Sequence, residues 1–153
     1  MSTITKSQLI EEVITVMSIC LWIYAAVSKL TDFETFQRQM SKQVFGFGFE
    51  NLLTWMLPTI ELFAVALLIF SNTRFLGFLL SFSLMAVFTA YIILVISGFF
   101  PRIPCTCGGI LGNMGWHQHL YFNLFFLLLF GIGARLSWPE LRLSLEKGGK
   151  ERL

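Results

Sequence analysis

Cys105 and Cys107 stand two apart in the segment Cys105-Thr106-Cys107-Gly108-Gly109, and His117 and His119 follow shortly after. A thiolate near a helix N-terminus or a cation is stabilised as a nucleophile, and a disulfide between residues two apart is attainable but tight. Strain of that kind makes the bond easier to reduce. So short a loop also constrains little of the unfolded chain, and the pair therefore suits a redox carrier better than a structural staple or an inert pair of thiols. A metal site is the rival, because Cys105, Cys107, His117 and His119 offer four ligands within fifteen residues, enough for tetrahedral coordination. Two helical histidines at that spacing stand about 200° apart around the axis and cannot face one ion. The metal reading thus requires a helix that begins after His117, and it ranks second.

Trp116, His119 and Asn123 recur at i, i+3 and i+7, on one face of a helix at the depth of the cysteine segment. His119 could shuttle a proton to a thiolate while Asn123 holds its tautomer or binds a head group. The plainer alternative is that Trp116 and His119 anchor a helix at head-group level. Glu61 is an acid well inside an apolar run, roughly 13 Å below the end of its helix at about 1.5 Å per residue. Such a group needs a partner. Lys29 is the first candidate, with Tyr24 and Ser28 as hydrogen-bonding alternatives, and a polar clamp between helices is a better reading than direct catalysis. Pro58, one turn earlier, frees a backbone carbonyl and bends the helix there. Cys20, alone in an apolar run, reads as a small hydrophobe.

The elements that must position these residues are membrane spans. Of 153 residues, 56% are hydrophobic and 13% charged, against about 45–50% and about 25% in soluble domains. At roughly 20 apolar residues per crossing, the chain is one membrane domain, residues 1–153: an all-α four-helix bundle with spans at about 13–30, 52–70, 75–100 and 118–136. A signal-peptide reading of the first run, with Lys6 as basic region and Ala26-Val27-Ser28 as cleavage site, is disfavoured by Glu11 and Glu12 against the apolar stretch.

Between the first two spans, Phe33, Phe36, Met40, Val44 and Phe47 recur at helical spacing, which predicts a short amphipathic helix along the interface. Thr31 and Glu34 read as its capping box, and the glycines of Phe45-Gly46-Phe47-Gly48-Phe49 as its end. Ser71-Asn72-Thr73 forms a tight turn. Pro101 and Pro104 stop the third span, the cysteine loop occupies 101–117, and a charged, exposed and partly disordered tail occupies 137–153.

With four spans, Lys6, Arg74, Arg135, Arg142, Lys147, Lys150 and Arg152 share one side and Lys29, Arg38, Lys42 and Arg102 the other. Seven against four places both termini in the cytoplasm of a bacterial inner membrane and turns the cysteine loop outward, where disulfides persist. The net charge of +2 is small and dispersed, which sets nucleic acid aside and leaves lipid as the surrounding partner.

Trp22-Ile23-Tyr24-Ala25-Ala26-Val27-Ser28-Lys29-Leu30, then Pro58-x-x-Glu61, then Cys105-Thr106-Cys107-Gly108-Gly109-x-Leu111 with Trp116, His119 and Asn123, together resemble the MauE/DoxX family of redox-associated membrane proteins over nearly the whole chain. The Cys-Thr-Cys-Gly-Gly form is most similar to versions from Bacteroidota. The resemblance implies a four-helix bundle whose outward Cys105 and Cys107 exchange electrons or disulfides with a thioredoxin-like periplasmic partner, as in the maturation of methylamine dehydrogenase with which MauE is associated. Glu61, Lys29, His119 and Asn123 match the family pattern without an assigned role. Unlike the quinone-linked DsbB and vitamin K epoxide reductase bundles, the chain has neither Cys-x-x-Cys nor a second pair, which puts a full relay to quinone in doubt.

The leading expectation is a thiol–disulfide redox protein of the inner membrane that exchanges electrons through Cys105 and Cys107 with a periplasmic thioredoxin-like partner during maturation of exported proteins, its standing as an oxidoreductase left open. The alternatives are a metal-binding membrane protein using the Cys/His loop and a non-enzymatic subunit or assembly factor of an envelope complex. No cofactor is certain from the sequence and a quinone is the candidate; the many phenylalanines would suit a quinone pocket and lipid contact equally.

Overall fold

A computed structural model describes residues 6–41, 49–99 and 115–150. Within them lie five helices: α1 (Lys6–Thr31), α2 (Phe33–Ser41), α3 (Phe49–Ile69), α4 (Arg74–Ile96) and α5 (Trp116–Lys150). Four segments, Lys6–Thr31, Leu52–Ile69, Arg74–Ile96 and Trp116–Trp138, are long and apolar enough to cross a membrane. A helix satisfies its own backbone groups, which hydrocarbon demands of any spanning segment. The protein is an all-α membrane four-helix bundle.

The spanning helices alternate in direction. α1 packs against α3 and α5, and α4 packs against the same two, closing the ring. One end of the bundle, where α1 and α4 finish and α3 and α5 start, is the loop end. The other, where α3 turns into α4, is the turn end.

Local chemistry sets most helix limits. α4 closes through Ser97 and Gly98, whose φ of +71° is natural for glycine. Gly98 N–H donates to the Val95 carbonyl and Phe99 N–H to the Leu94 carbonyl, the paired bonds of a Schellman motif. The third span therefore ends about a turn before the prolines expected to stop it. Pro101 and Pro104 lie outside the described residues. α5 starts at Gly115, whose N–H donates to the Gln118 side chain, half of a capping box.

Three further expectations are corrected. Thr31 gives its hydroxyl to the carbonyls of Val27 and Ser28 and so finishes α1; the carbonyl of Asp32 takes the first bond of α2, from Phe36 N–H. α1 begins at Lys6, so Glu11 and Glu12 are inside it. α5 runs on to Lys150 where a partly disordered tail was expected from 137, because Leu141, Arg142, Leu143, Leu145, Glu146 and Lys147 are good helix formers whatever their charge.

α2 buries Phe36 and Met40, leaves Glu34 and Arg38 exposed, and sets Phe33 against Trp55 of α3 with ring centroids 4.7 Å apart. This is the expected amphipathic segment. Val44 and the glycines of 45–48 lie outside the described residues.

In the middle of the bundle Trp22 joins three helices: its indole N–H donates to Ser81 Oγ at 2.9 Å, and its ring stacks on Phe130 at 5.9 Å. Leu68 and Phe78 complete this fully buried layer. Small residues let the helices approach, as membrane bundles require in place of a hydrophobic drive. A Cβ on Gly77 would come within 2.9 Å of the Leu68 backbone, and one on Gly133 within 2.5 Å of the Phe78 ring.

Gly133→Val is therefore expected to destabilise the bundle by about 1–3 kcal/mol through overpacking. Thermal unfolding in detergent measures this, with Phe78→Leu restoring part of the loss; a Gly133→Val protein that melts with the wild type refutes the packing.

Candidate functional site

Cys105 and Cys107 lie outside the described residues, which stop at Phe99 and resume at Gly115. The chain that carries them joins the closing turn of α4 to the cap of α5, at the loop end. On the first turns of α5, Trp116 and His119 are half-buried and His117 is exposed. Asn123 is 3% exposed, so the face shared by Trp116, His119 and Asn123 turns into the bundle as it descends. Because α5 begins at Trp116, both histidines are helical and about 200° apart around the axis. The condition on which the four-ligand metal reading depended is not met. Among the described residues no cluster of three or more His, Cys, Asp or Glu could hold a metal ion.

Deeper in the bundle the structure brings Lys29 and Glu61 together. Lys29 Nζ donates to Glu61 Oε1 at 2.7 Å and to its own helix at the Ala25 carbonyl, 3.0 Å away. The lysine side chain thus folds back into the membrane instead of reaching for its surface. Ser28, an alternative partner from the sequence, gives its hydroxyl to the Ala25 carbonyl. Pro58 is buried one turn before Glu61, and α3 runs on through it. Glu61 is 1% exposed, and its Oε2 finds no hydrogen-bond partner among the described residues. An unserved acceptor of this kind costs about 1–3 kcal/mol. Cys20 stands on the exposed surface of α1, away from this chemistry.

A second buried charge cluster, at the turn end, was not anticipated. Arg74 donates to Glu12 at 2.8 Å and to Glu11 at 3.4 Å, and Ser137 donates to Glu11 at 2.7 Å. Glu11 is 4% exposed and Ser137 1%, so one carboxylate ties α1, α4 and α5 together. The signal was present: alternating spans put the start of α1 and the 71–74 turn at one end, so an acid pair there faces the arginine of that turn. Reading Glu11 and Glu12 as flanks of a span hid it.

A family model described as methylamine utilisation protein MauE matches residues 7–136. The chain belongs to the MauE family. No curated protein and no solved structure matches it. The MauE match takes in Glu11, Lys29, Glu61, Arg74, the cysteine pair and Asn123, and ends one residue before Ser137. Both ionic contacts therefore lie within the region that defines this MauE-family chain, whereas the hydroxyl that completes the turn-end cluster lies just beyond it.

Removing one partner of a buried pair leaves the other charge uncompensated, at about 3–5 kcal/mol. Lys29→Met should cost about that much in detergent unfolding, and Lys29→Met with Glu61→Gln distinctly less. Equal losses in the single and double variants would show that the pair is not coupled.

Proposed function

We propose that this MauE-family membrane protein is a thiol–disulfide redox protein of the bacterial inner membrane, serving the maturation of an exported enzyme in a process like methylamine utilisation. In this reading both termini are cytoplasmic, as the excess of lysine and arginine on the turn-end side favours, and Cys105 and Cys107 face the periplasm. The observation that carries it is the Cys105-Thr106-Cys107 pair itself, two thiols in the connection between the Schellman end of α4 and the capped start of α5.

Exchange runs through a mixed disulfide. One thiolate of the reduced pair attacks a disulfide sulfur of a thioredoxin-like partner, forming one S–S bond and releasing the partner's other sulfur as thiolate. The second cysteine then attacks the mixed disulfide and expels the first partner sulfur. The pair is left oxidised and the partner reduced by the same two electrons, and the reverse sequence carries electrons the other way. His119, on the first turn of α5, is placed in sequence to exchange a proton with a thiolate of this pair.

The state of the pair in intact cells tests both the orientation and the chemistry. A membrane-impermeant, mass-adding alkylator is expected to label Cys105 and Cys107 from the periplasmic side only after treatment with reductant. Thiols that label fully without reductant would refute a resting disulfide, and full support of client maturation by Cys105→Ser/Cys107→Ser would favour a non-enzymatic assembly subunit.

A further inference from the structure

The layer of Trp22, Phe78 and Phe130 separates two groups of buried polar side chains. On the turn side, Thr15 and Ser18 turn their hydroxyls back to the Glu11 and Ile14 carbonyls, and Glu11 accepts from Arg74 and Ser137. From the layer to the loop end, each spanning helix contributes a polar residue: Lys29 from α1, Glu61 from α3, Thr89 from α4 and Asn123 from α5. Thr89, Glu61 and Asn123 are buried, and the Lys29 side chain is 14% exposed.

Register places Lys29, Thr89 and Asn123 at one depth. Trp22 touches both Ser81 and Phe130, so those three residues mark a common level. Lys29 and Asn123 are each seven residues nearer the loop end than their counterparts and Thr89 is eight, which at about 1.5 Å per residue puts all three roughly 10–12 Å beyond that level. The Lys29 side chain then folds back towards Ala25 to meet Glu61. The hydroxyl hydrogen of Thr89 is given to the Met85 carbonyl at 2.6 Å, which leaves its oxygen as an acceptor. The carboxamide of Asn123 supplies both a donor and an acceptor.

Glu61 Oε2 is buried without a partner among the described residues, while Oε1 is held by Lys29. We propose that Glu61, paired with Lys29 and on the same side of the aromatic layer as Thr89 and Asn123, is an intramembrane proton-binding site that exchanges with the loop end of the bundle and is sealed from the turn end by the Trp22, Phe78 and Phe130 layer. Binding converts the carboxylate to the carboxylic acid, with one O–H bond formed at Oε2 and no electron moved. The new O–H is a donor, and on the loop side of the aromatic layer α4 and α5 offer the buried Thr89 oxygen and Asn123 carboxamide as acceptors. On the loop side of the aromatic layer, the described titratable groups of the surrounding elements are Lys29 and Tyr24 of α1, Tyr91 of α4 and His119 of α5, with His117 and Tyr121 of α5 and Asp32, Glu34 and Arg38 exposed. This site does not depend on the cysteine pair, and it persists in Cys105→Ser/Cys107→Ser protein.

The test uses the full-length protein in liposomes, with the pH of each side set separately, and dicyclohexylcarbodiimide, an apolar reagent that couples to protonated carboxyl groups. Peptide mass mapping is expected to find the adduct on Glu61, its yield falling about tenfold for each further pH unit on the loop side once the carboxyl ionises, and indifferent to pH on the turn side. An adduct that answers to the turn side alone overturns the proposal. So does a wild type without adduct at every pH when Lys29→Met protein, whose released Glu61 reacts, shows that the reagent reaches the site. Should neither protein react, the infrared difference spectrum between pH values decides: a carboxylic-acid band missing from Glu61→Gln supports the site, and no such band overturns it.

Discussion

A charge placed inside a membrane cannot be relieved by water, so it must find its counter-charge on another helix, and in this bundle that demand fixes how the helices meet. Lys29 and Glu61 hold α1 to α3 at 2.7 Å, and Arg74 with Glu11 holds α4 to α1 at the opposite end. The general energetics of buried pairs explains why such contacts are demanding: desolvation offsets much of the attraction, yet loss of one member leaves a charge with no relief at all. Their value lies as much in register as in stability. A slip of one helix by a residue would turn Glu61 or Glu11 about 100° out of the bundle.

Between the ionic contacts the packing is apolar and close. Trp22 has the one arrangement that serves both its ring and its N–H, stacking on Phe130 while donating to Ser81. Gly77 and Gly133 permit the approach of α3 to α4 and of the Phe78 ring to α5. Lipid competes for apolar surface as well as any neighbouring helix does, so close backbone contact and a satisfied indole do what a hydrophobic drive does in soluble proteins. The resulting aromatic layer stands between two buried polar groups, Lys29 and Glu61 towards the loop end and the Arg74 cluster towards the turn end.

Much of the architecture was legible because hydrocarbon leaves few choices. Four long apolar runs in an otherwise sparsely charged chain can only be helices, and the turn at 71–73 makes α3 and α4 antiparallel. The Lys29 partnership was legible too, since an acid deep in a span must meet a cation and alternation of the spans put that lysine at the nearer end. Helix limits were less so. Pro101 was read as the stop for α4, but Gly98 closes it first, because a residue that accepts a positive φ ends a helix as soon as its neighbours can bond back to the last carbonyls. The tail beyond Leu136 was judged by its charge, which reports exposure and not backbone state.

What the sequence determined by itself, then, was the class of the protein, its four spans, the amphipathic α2, the cysteine pair and membership of a recognisable family, all of which depend on residue type and spacing along one chain. Only the tertiary structure decided which side chains share an interior. That Glu11 is buried and bridges Arg74 and Ser137, that Glu61 keeps one oxygen unserved, and that Lys29, Thr89 and Asn123 lie at one depth all follow from how far each helix is shifted along its neighbours. The physical reason is that this shift is set by the summed fit of many side chains across helix interfaces, and no short stretch of sequence contains it.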